Sequence, residues 1–145
     1  YGPEKTGGFS RGDLVLAEDS IDYPAVIEPE VVVAFSQDAF ERDADEVVED
    51  GLVMIESNLV DASDFRERRP DVRVLEIPAV EIAEAVGLKV VANIVMLGAF
   101  QSVVGTPPDE AVREAIADIV PEGTEDTNIE AYDRGLAALD QEVVA

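Results

Sequence analysis

The chain has 145 residues, of which 33 are acidic and 10 basic, giving a formal net charge of -23, and it contains neither cysteine nor histidine. These totals exclude, for this chain, disulfides, thiolate metal sites, iron–sulfur ligation and catalysis by cysteine or histidine. The charge also opposes binding to nucleic-acid phosphate and to an anionic membrane surface.

Four strands are predicted along the chain. A glycine-rich loop over residues 1–12 leads into the first of them, and a short extended segment, Ile21-Asp22-Tyr23-Pro24, precedes the second. Three of the strands are dense apolar runs of the kind expected for strands buried on both faces of a parallel sheet. The four predicted strands cover residues 13–17, 30–35, 52–57 and 72–77, the last three being the buried ones.

Helices are predicted between and after these strands. Ser36 is a predicted N-cap, and Gly87 and Gly105 are predicted helix ends. The predicted helices cover residues 37–42 with a further helical piece reaching 49, a short helix or loop at 63–69, and then 79–86, 89–104, 107–120 and 125–143. Buried strands that alternate with helices indicate one α/β domain over residues 1–145, a three-layer α/β/α arrangement with a mostly parallel (mixed) sheet.

The glycine-rich loop is the first candidate site. Its glycines allow a backbone to approach a ligand closely, and Lys5, Ser10 and Arg11 are suited to meeting an anion. The sequence matches neither a Walker A loop nor GxGxxG. A structural loop that feeds a strand explains the same residues, and the spacing alone favours that simpler interpretation.

Ser36 and Gln37 form the second candidate site, because they follow a buried strand at the sheet edge where open α/β sheets bind ligands. A simple N-cap accounts for Ser36. A third candidate, Asn93, lies in an otherwise apolar helix and is expected to contact a subunit, a bound group or a core partner. Gly98 in that helix is expected to allow close approach of another backbone.

Paired carboxylates such as Glu41/Asp45 and Glu110/Glu114 carry no specific signal, because chance pairs are expected everywhere among 33 acids. No catalytic residue and no metal site is therefore predicted. A carboxylate-based hydrolase has no supporting constellation of residues.

The acids are spread over the whole chain and only two residues are lysine. Because the reach of charge repulsion falls from about 10 Å at 0.1 M salt to about 3 Å at 1 M, such a surface indicates a cytoplasmic protein of a salt-adapted cell. The alternative is an acidic protein of an ordinary cell in which some of the acids serve a basic partner, and the shortage of lysine favours the first interpretation. No apolar run is long enough for a membrane span. The first residues lack an initiator methionine and a signal-peptide pattern, so the sequence is interpreted as part of a longer protein.

The order of several segments resembles the gamma subunit or domain of 2-oxoacid:ferredoxin oxidoreductases, which act on pyruvate, 2-oxoglutarate or 2-oxoisovalerate. The segments are YGPE, GG, RGD, IDYP, EVVVAFSQDAF, IPAVEIAEAVG, ANIVMLGAF and PDEAVREAI, and they cover nearly the whole chain. The most specific are the YGPE…GG loop, the AFSQDAF turn, and ANIVMLGAF followed by PDEAV.

This resemblance implies an accessory α/β subunit of an enzyme that converts a 2-oxoacid and coenzyme A to acyl-CoA, carbon dioxide and reduced ferredoxin. It places thiamine diphosphate, iron–sulfur clusters and coenzyme A in partner alpha, beta and delta subunits, and none in this chain. Gly7, Gly8, Ser36 and Gln37 are the residues expected to contact coenzyme A or a neighbouring subunit. The alternative hypothesis is a stand-alone ligand-binding or regulatory module that has kept the fold.

The sequence departs from the family pattern in two respects. The family usually begins with a strand, a GxGGQG-type turn and a helix, and this first strand and helix are absent here. Thr6 also stands where the family loop commonly has an arginine, so no anion contact of that arginine is carried over.

Overall fold

A computed structural model of the chain describes residues 28–144, and it describes the backbone alone for residues 89 and 140–144. The predicted glycine-rich loop, the predicted strand at residues 13–17 and the segment at residues 21–24 lie outside the described residues. The two glycines proposed as contact residues, Gly7 and Gly8, lie there too.

The described chain contains three strands and six α-helices. Their bounds agree with those of the corresponding predicted elements to within three residues. In chain order they are β1 (Val31–Ala34), α1 (Gln37–Asp43), β2 (Leu52–Glu56), α2 (Ser63–Arg68), β3 (Arg73–Ile77), α3 (Ala79–Val86), α4 (Ala92–Val104), α5 (Asp109–Ile119) and α6 (Glu125–Val144), with 3₁₀ turns at Ala44–Glu46 and Lys89–Val91.

The three strands form a parallel sheet in the order β1-β2-β3. Val32 lies beside Val53 of β2, which lies beside Val74 of β3. Parallel neighbours need a crossover connection, and α1 and α2 supply the two crossovers. All described strand pairs are parallel, in agreement with the predicted mostly parallel sheet.

Alternate side chains of β2 enter two different hydrophobic cores. Met54 packs into the core formed with α3, α4 and α6, whereas Ile55 packs into the core formed with α1 and α2. In the second core the rings of Phe40 and Phe65 meet edge to face, with their centroids 5.3 Å apart. Helices therefore cover both faces of the sheet, and the predicted three-layer α/β/α arrangement is confirmed.

Among the three described strands, only β2 is buried on both faces, since all five of its residues are buried. The same prediction for the strands at 30–35 and 72–77 is wrong. Val33 is 41% exposed and Arg73 is exposed. The physical reason is position, because among the described strands β1 and β3 are the outer ones and each pairs only with β2.

Helices α4 and α6 approach each other more closely than side chains would allow. A Cβ added to Gly98 would lie 2.2 Å from the carbonyl oxygen of Tyr132. A Cβ added to Gly135 would lie 2.0 Å from the carbonyl oxygen of Val95. The predicted close backbone approach at Gly98 is confirmed, and a second glycine on the facing helix completes it.

Helix α5 is fixed to α6 through a buried tyrosine. The Tyr132 hydroxyl donates to the Asp109 carboxylate at 2.7 Å. Arg113 lies over the Tyr132 ring, 5.0 Å from its centroid, and forms ion pairs with Asp109 and Asp133 at 2.8 and 2.7 Å. Burial, together with the hydrogen bond to Asp109, raises the pKa of Tyr132 well above its ordinary value, so the phenol stays protonated.

Candidate functional site

The carboxyl ends of the three parallel strands lie at one edge of the sheet, the edge at which open α/β sheets bind ligands. β1 leads there into Ser36 and Gln37, β2 ends there at Glu56, and β3 ends there at Ile77. This carboxyl edge is the candidate site.

Ser36 is the N-cap of α1. Its Oγ accepts a hydrogen bond from the Ala39 N–H at 3.1 Å, so the N-cap interpretation of this residue is confirmed. A hydroxyl that accepts one hydrogen bond retains a proton to donate. Because Ser36 is also exposed, its O–H is able to contact a group outside the chain.

Gln37 fastens α1 to the loop that follows β2. Its side-chain oxygen accepts from the Asp61 N–H at 2.7 Å, and its amide nitrogen donates to the Asp61 carbonyl at 3.1 Å. The same nitrogen also lies 3.1 Å from the Glu41 carboxylate. The amide is therefore occupied within the chain, and it positions the carboxyl edge by holding two of its loops together.

Glu56 is a buried acid that was not among the predicted site residues. Its carboxylate accepts from the Asn58 N–H at 2.6 Å and from the Val80 N–H at 2.7 Å. The side chain is fully buried, and these two bonds satisfy it while fixing the start of α3 against the end of β2. The signal in the sequence was a charged residue at the end of an otherwise apolar buried strand.

A polar cleft of about 260 Å³ opens at the carboxyl edge. Ser63 donates to the Asp61 carboxylate through both its hydroxyl and its backbone N–H, and these bonds lower the pKa of Asp61. Arg66 forms an ion pair with Glu76 at 2.7 Å. The cleft is lined by Ser57, Val60, Asp61, Ala62, Ser63, Arg66 and Glu76.

These groups suit the binding of a polar ligand. The cleft offers hydroxyl and guanidinium donors beside two carboxylates, each of which already has a partner. No group of three or more acidic, cysteine or histidine side chains able to hold a metal ion occurs in the described part of the chain. The predicted chance pairs Glu41/Asp45 and Glu110/Glu114 lie on exposed helix surfaces.

The structure contradicts one of the alternatives for Asn93, that of a satisfied core asparagine, and the contact with a subunit or a bound group stays a prediction. The side chain is exposed in the first turn of α4, and its Oδ1 accepts from the Ile94 N–H at 2.9 Å. The apolar run at 89–104 begins as a 3₁₀ turn and becomes α-helical at Ala92, which places this asparagine at a helix start. A helix start leaves N–H groups without intrahelical partners, so a polar side chain is accommodated there without a buried partner.

No helix among the described residues is both long and apolar enough to cross a membrane.

The chain resembles several known proteins. The family model for pyruvate ferredoxin/flavodoxin oxidoreductase matches residues 1–138. Subunit KorC of 2-oxoglutarate synthase from Methanocaldococcus jannaschii is 40% identical over 136 residues, which cover 93% of this chain and 72% of that protein. Subunit VorA of ketoisovalerate oxidoreductase from Methanothermobacter marburgensis is 36% identical over 117 residues, covering 80% of this chain and 24% of that protein.

A solved structure has the same fold. The gamma subunit of keto/oxoacid ferredoxin oxidoreductase from Geobacter sulfurreducens superposes with a TM-score of 0.67 at 28% sequence identity. The match covers 77% of this chain and 64% of that one, so the present chain spans somewhat less than two thirds of that subunit.

Proposed function

This chain belongs to the pyruvate ferredoxin/flavodoxin oxidoreductase family, and we propose that it acts as the accessory gamma subunit of a 2-oxoacid:ferredoxin oxidoreductase. The complex would oxidatively decarboxylate a 2-oxoacid with coenzyme A, forming acyl-CoA, carbon dioxide and reduced ferredoxin. The observation that carries this proposal is the 40% identity to a 2-oxoglutarate synthase subunit across 93% of the chain.

Partner alpha, beta and delta subunits supply the redox chemistry in this proposal. Thiamine diphosphate and the iron–sulfur clusters belong to those subunits, and ferredoxin accepts the electrons from them. These 145 residues include no cysteine that could ligate a cluster, which is consistent with that division. The contribution of this chain is to pack against the catalytic subunits and to complete the assembly.

We propose 2-oxoglutarate as the substrate of the complex. The match to the 2-oxoglutarate synthase subunit is both longer and higher in identity than the match to the ketoisovalerate enzyme. Substrate choice rests with the catalytic subunits, so the purified complex is the object to test. Initial rates with 2-oxoglutarate, pyruvate and 2-oxoisovalerate identify the substrate, and a preference for either of the other two acids contradicts this assignment.

Affinity purification tests the subunit assignment itself. A tag on this protein, recovered from its native host in high salt, should bring down a thiamine-dependent subunit and an iron–sulfur subunit identified by mass spectrometry. Recovery of the folded protein alone would contradict the proposal and would favour a stand-alone ligand-binding module.

Within the complex we propose that Gly7, Gly8, Ser36 and Gln37 contact coenzyme A or a neighbouring subunit. Support comes from the exposed Ser36 hydroxyl at the carboxyl edge. Gln37 enters the proposal through its place next to Ser36, although its amide is already bonded to Asp61 and Glu41. The two glycines enter the proposal through the sequence resemblance.

Two substitutions of Ser36 distinguish a contact with coenzyme A from a contact with a neighbouring subunit. Ser36→Asn and Ser36→Asp both preserve N-cap capacity, since Asn, Asp and Ser are comparable N-caps. Only the aspartate adds a negative charge. If coenzyme A lies here, Ser36→Asp raises the KM for coenzyme A above that of the Ser36→Asn control. If a subunit lies here, both variants assemble poorly and the KM is unchanged. Normal assembly with an unchanged KM in both variants would remove Ser36 from the site.

We also propose that the complex works in the cytoplasm of a cell with concentrated internal salt. The support is the net charge of -23, distributed along the whole chain, with two lysines among ten basic residues. Dialysis of the intact subunit from molar to millimolar salt should remove its far-ultraviolet ellipticity, because repulsion among the acids is then unscreened. Retention of the ellipticity would contradict salt adaptation and leave the subunit assignment untouched.

A further inference from the structure

A groove lies where the connection between α3 and α4 meets the connection between α5 and α6. Its volume is about 300 Å³. None of its ten lining residues is charged, although charged residues make up 30% of the chain. The lining, called the apolar groove below, consists of Leu88, Val90, Val91, Asn93, Ile94, Ile119, Val120, Pro121, Thr124 and Asn128.

Large apolar side chains stand exposed on both walls of this groove. Val90 on one wall is 79% exposed and Ile119 on the other is 80% exposed, with Leu88 at 38%. Removing such apolar surface from water favours association. We interpret these exposed apolar side chains beside an uncharged groove as an interaction site.

Backbone hydrogen bonds hold the first wall in shape. Gly87 ends α3 in the left-handed conformation at φ 113°, and the Leu88 N–H returns to the Ala83 carbonyl at 3.1 Å. The Val91 N–H then donates to the Leu88 carbonyl at 3.0 Å. Leu88 and Val90 therefore project from a closed turn.

The second wall is fixed in a similar way. Thr124 donates to the Pro121 carbonyl through its N–H at 3.0 Å and through its hydroxyl at 2.6 Å. The buried Asn128 side chain donates to the Thr124 carbonyl at 2.9 Å. A preformed surface loses little conformational entropy when it binds, which favours a docking role.

Charge selects the kind of partner. The exposed acids Asp118 and Glu122 flank Ile119 in sequence, and the chain as a whole carries a charge of -23. An acidic partner surface would be repelled at this rim, whereas lysine or arginine beside an apolar insert would be attracted. The complementary ligand is an apolar segment with basic flanks.

We propose that the apolar groove receives such a segment, with large apolar side chains between basic residues, from another subunit of the same oxidoreductase. This inference rests on the proposed function as a gamma subunit. α3 begins where Glu56 accepts the Val80 N–H at the carboxyl edge, and its eight residues span about 12 Å before Leu88. The docked segment therefore lies at the far end of α3 and leaves the polar cleft open.

The test compares three glutamate substitutions. Ile119→Glu and Val90→Glu place a charge inside the groove, and Ala117→Glu is the matched control, since it adds the same charge at an exposed site on α5 outside the lining. Each variant is made in the intact protein, and its affinity for the rest of the purified complex is measured. Because the three replaced side chains are exposed, all variants should unfold at the wild-type temperature.

The groove variants should raise the Kd by at least about tenfold, as expected when a central interface contact is replaced by a charge, while the control keeps the wild-type Kd. Asp118→Asn with Glu122→Gln should slow association at the lowest salt concentration at which the subunit stays folded, and this difference should shrink as the salt is raised to the molar range.

Wild-type affinity in Ile119→Glu and Val90→Glu would overturn the docking proposal while leaving the subunit assignment intact. An equal loss in the Ala117→Glu control would also overturn it, because the effect would then be one of charge alone.

Failure of the wild-type protein to bind the other subunits would instead overturn the proposed function. If the wild type is a homodimer that Ile119→Glu converts to a monomer without changing the affinity for other subunits, the occupant is a second copy and this assignment of a partner is wrong.

Discussion

Gly135→Ala should destabilise the domain, although alanine is the better helix former. The added methyl group would lie 2.0 Å from the Val95 carbonyl oxygen, whereas ordinary van der Waals contact begins near 3.4 Å. The obstructing atoms belong to the backbone of α4, so no side-chain rotation relieves the clash. The Ala99 N–H nitrogen, 3.1 Å away, limits movement in another direction.

The magnitude follows from two opposing effects. Overpacking a core costs about 1–3 kcal/mol, and a backbone clash this short belongs at the upper end of that range. The higher helix propensity of alanine over glycine stabilises the folded state by about 1 kcal/mol, which offsets part of this cost. The free energy of unfolding should therefore fall by about 2 kcal/mol, which lowers the Tm of a chain of this size by about 6 °C.

Thermal unfolding followed by circular dichroism in molar salt measures this change. Ala137→Gly on the exposed side of α6 is the control, because it alters propensity by about 1 kcal/mol without touching α4. A Gly135→Ala protein that unfolds at or above the wild-type temperature would refute the close packing of α4 against α6.

Three further predictions concern hydrogen-bonded groups. Tyr132→Phe should lower the free energy of unfolding by about 1 kcal/mol, because the ring stays packed but the bond to Asp109 is lost, as measured by denaturant titration. Glu56→Gln should cost about 1–3 kcal/mol in the same titration, because an amide has one acceptor oxygen for the two backbone N–H groups that the carboxylate binds. Arg69 lowers the pKa of Asp71 to about 2, below the value of about 3.9 expected in the unfolded chain. The resulting stabilisation should be complete above that unfolded value and be lost as the pH falls through 2, and Asp71→Asn should flatten the acid limb of stability against pH.

The order of the elements was predictable because local signals mark their ends. Ser36 supplies a side-chain acceptor at the start of α1, while Gly87 and Gly105 end their helices at φ 113° and 73°. These positive φ values favour glycine, so the sequence marks both helix ends directly. The buried character of β2 was likewise encoded in its apolar run.

Burial in the outer strands was not predictable in the same way. Val33 belongs to a run as apolar as that of β2, yet it is exposed. The reason is the strand order, because among the described strands β1 has one neighbour and β2 has two. The core-asparagine alternative for Asn93 is wrong for a related reason, since a 3₁₀ turn at the start of the apolar run changes which residues face the core.

The contacts that shape the candidate site join distant parts of the chain. Gln37 pairs with Asp61, and Glu56 reaches Val80, each across 24 positions in the sequence. No periodicity encodes such pairs. Gly98 carried a local signal of close packing, but its counterpart Gly135 became recognisable only when the two helices were placed together.

The central claim is that this chain is a working part of a 2-oxoacid:ferredoxin oxidoreductase. Its most direct test is the rate of ferredoxin reduction by the other purified subunits, with 2-oxoglutarate and coenzyme A present, measured with and without this protein in molar salt. We expect reduction that requires both substrates and rises to the native rate when this chain is added back. A rate that is the same with and without the chain would contradict the claim.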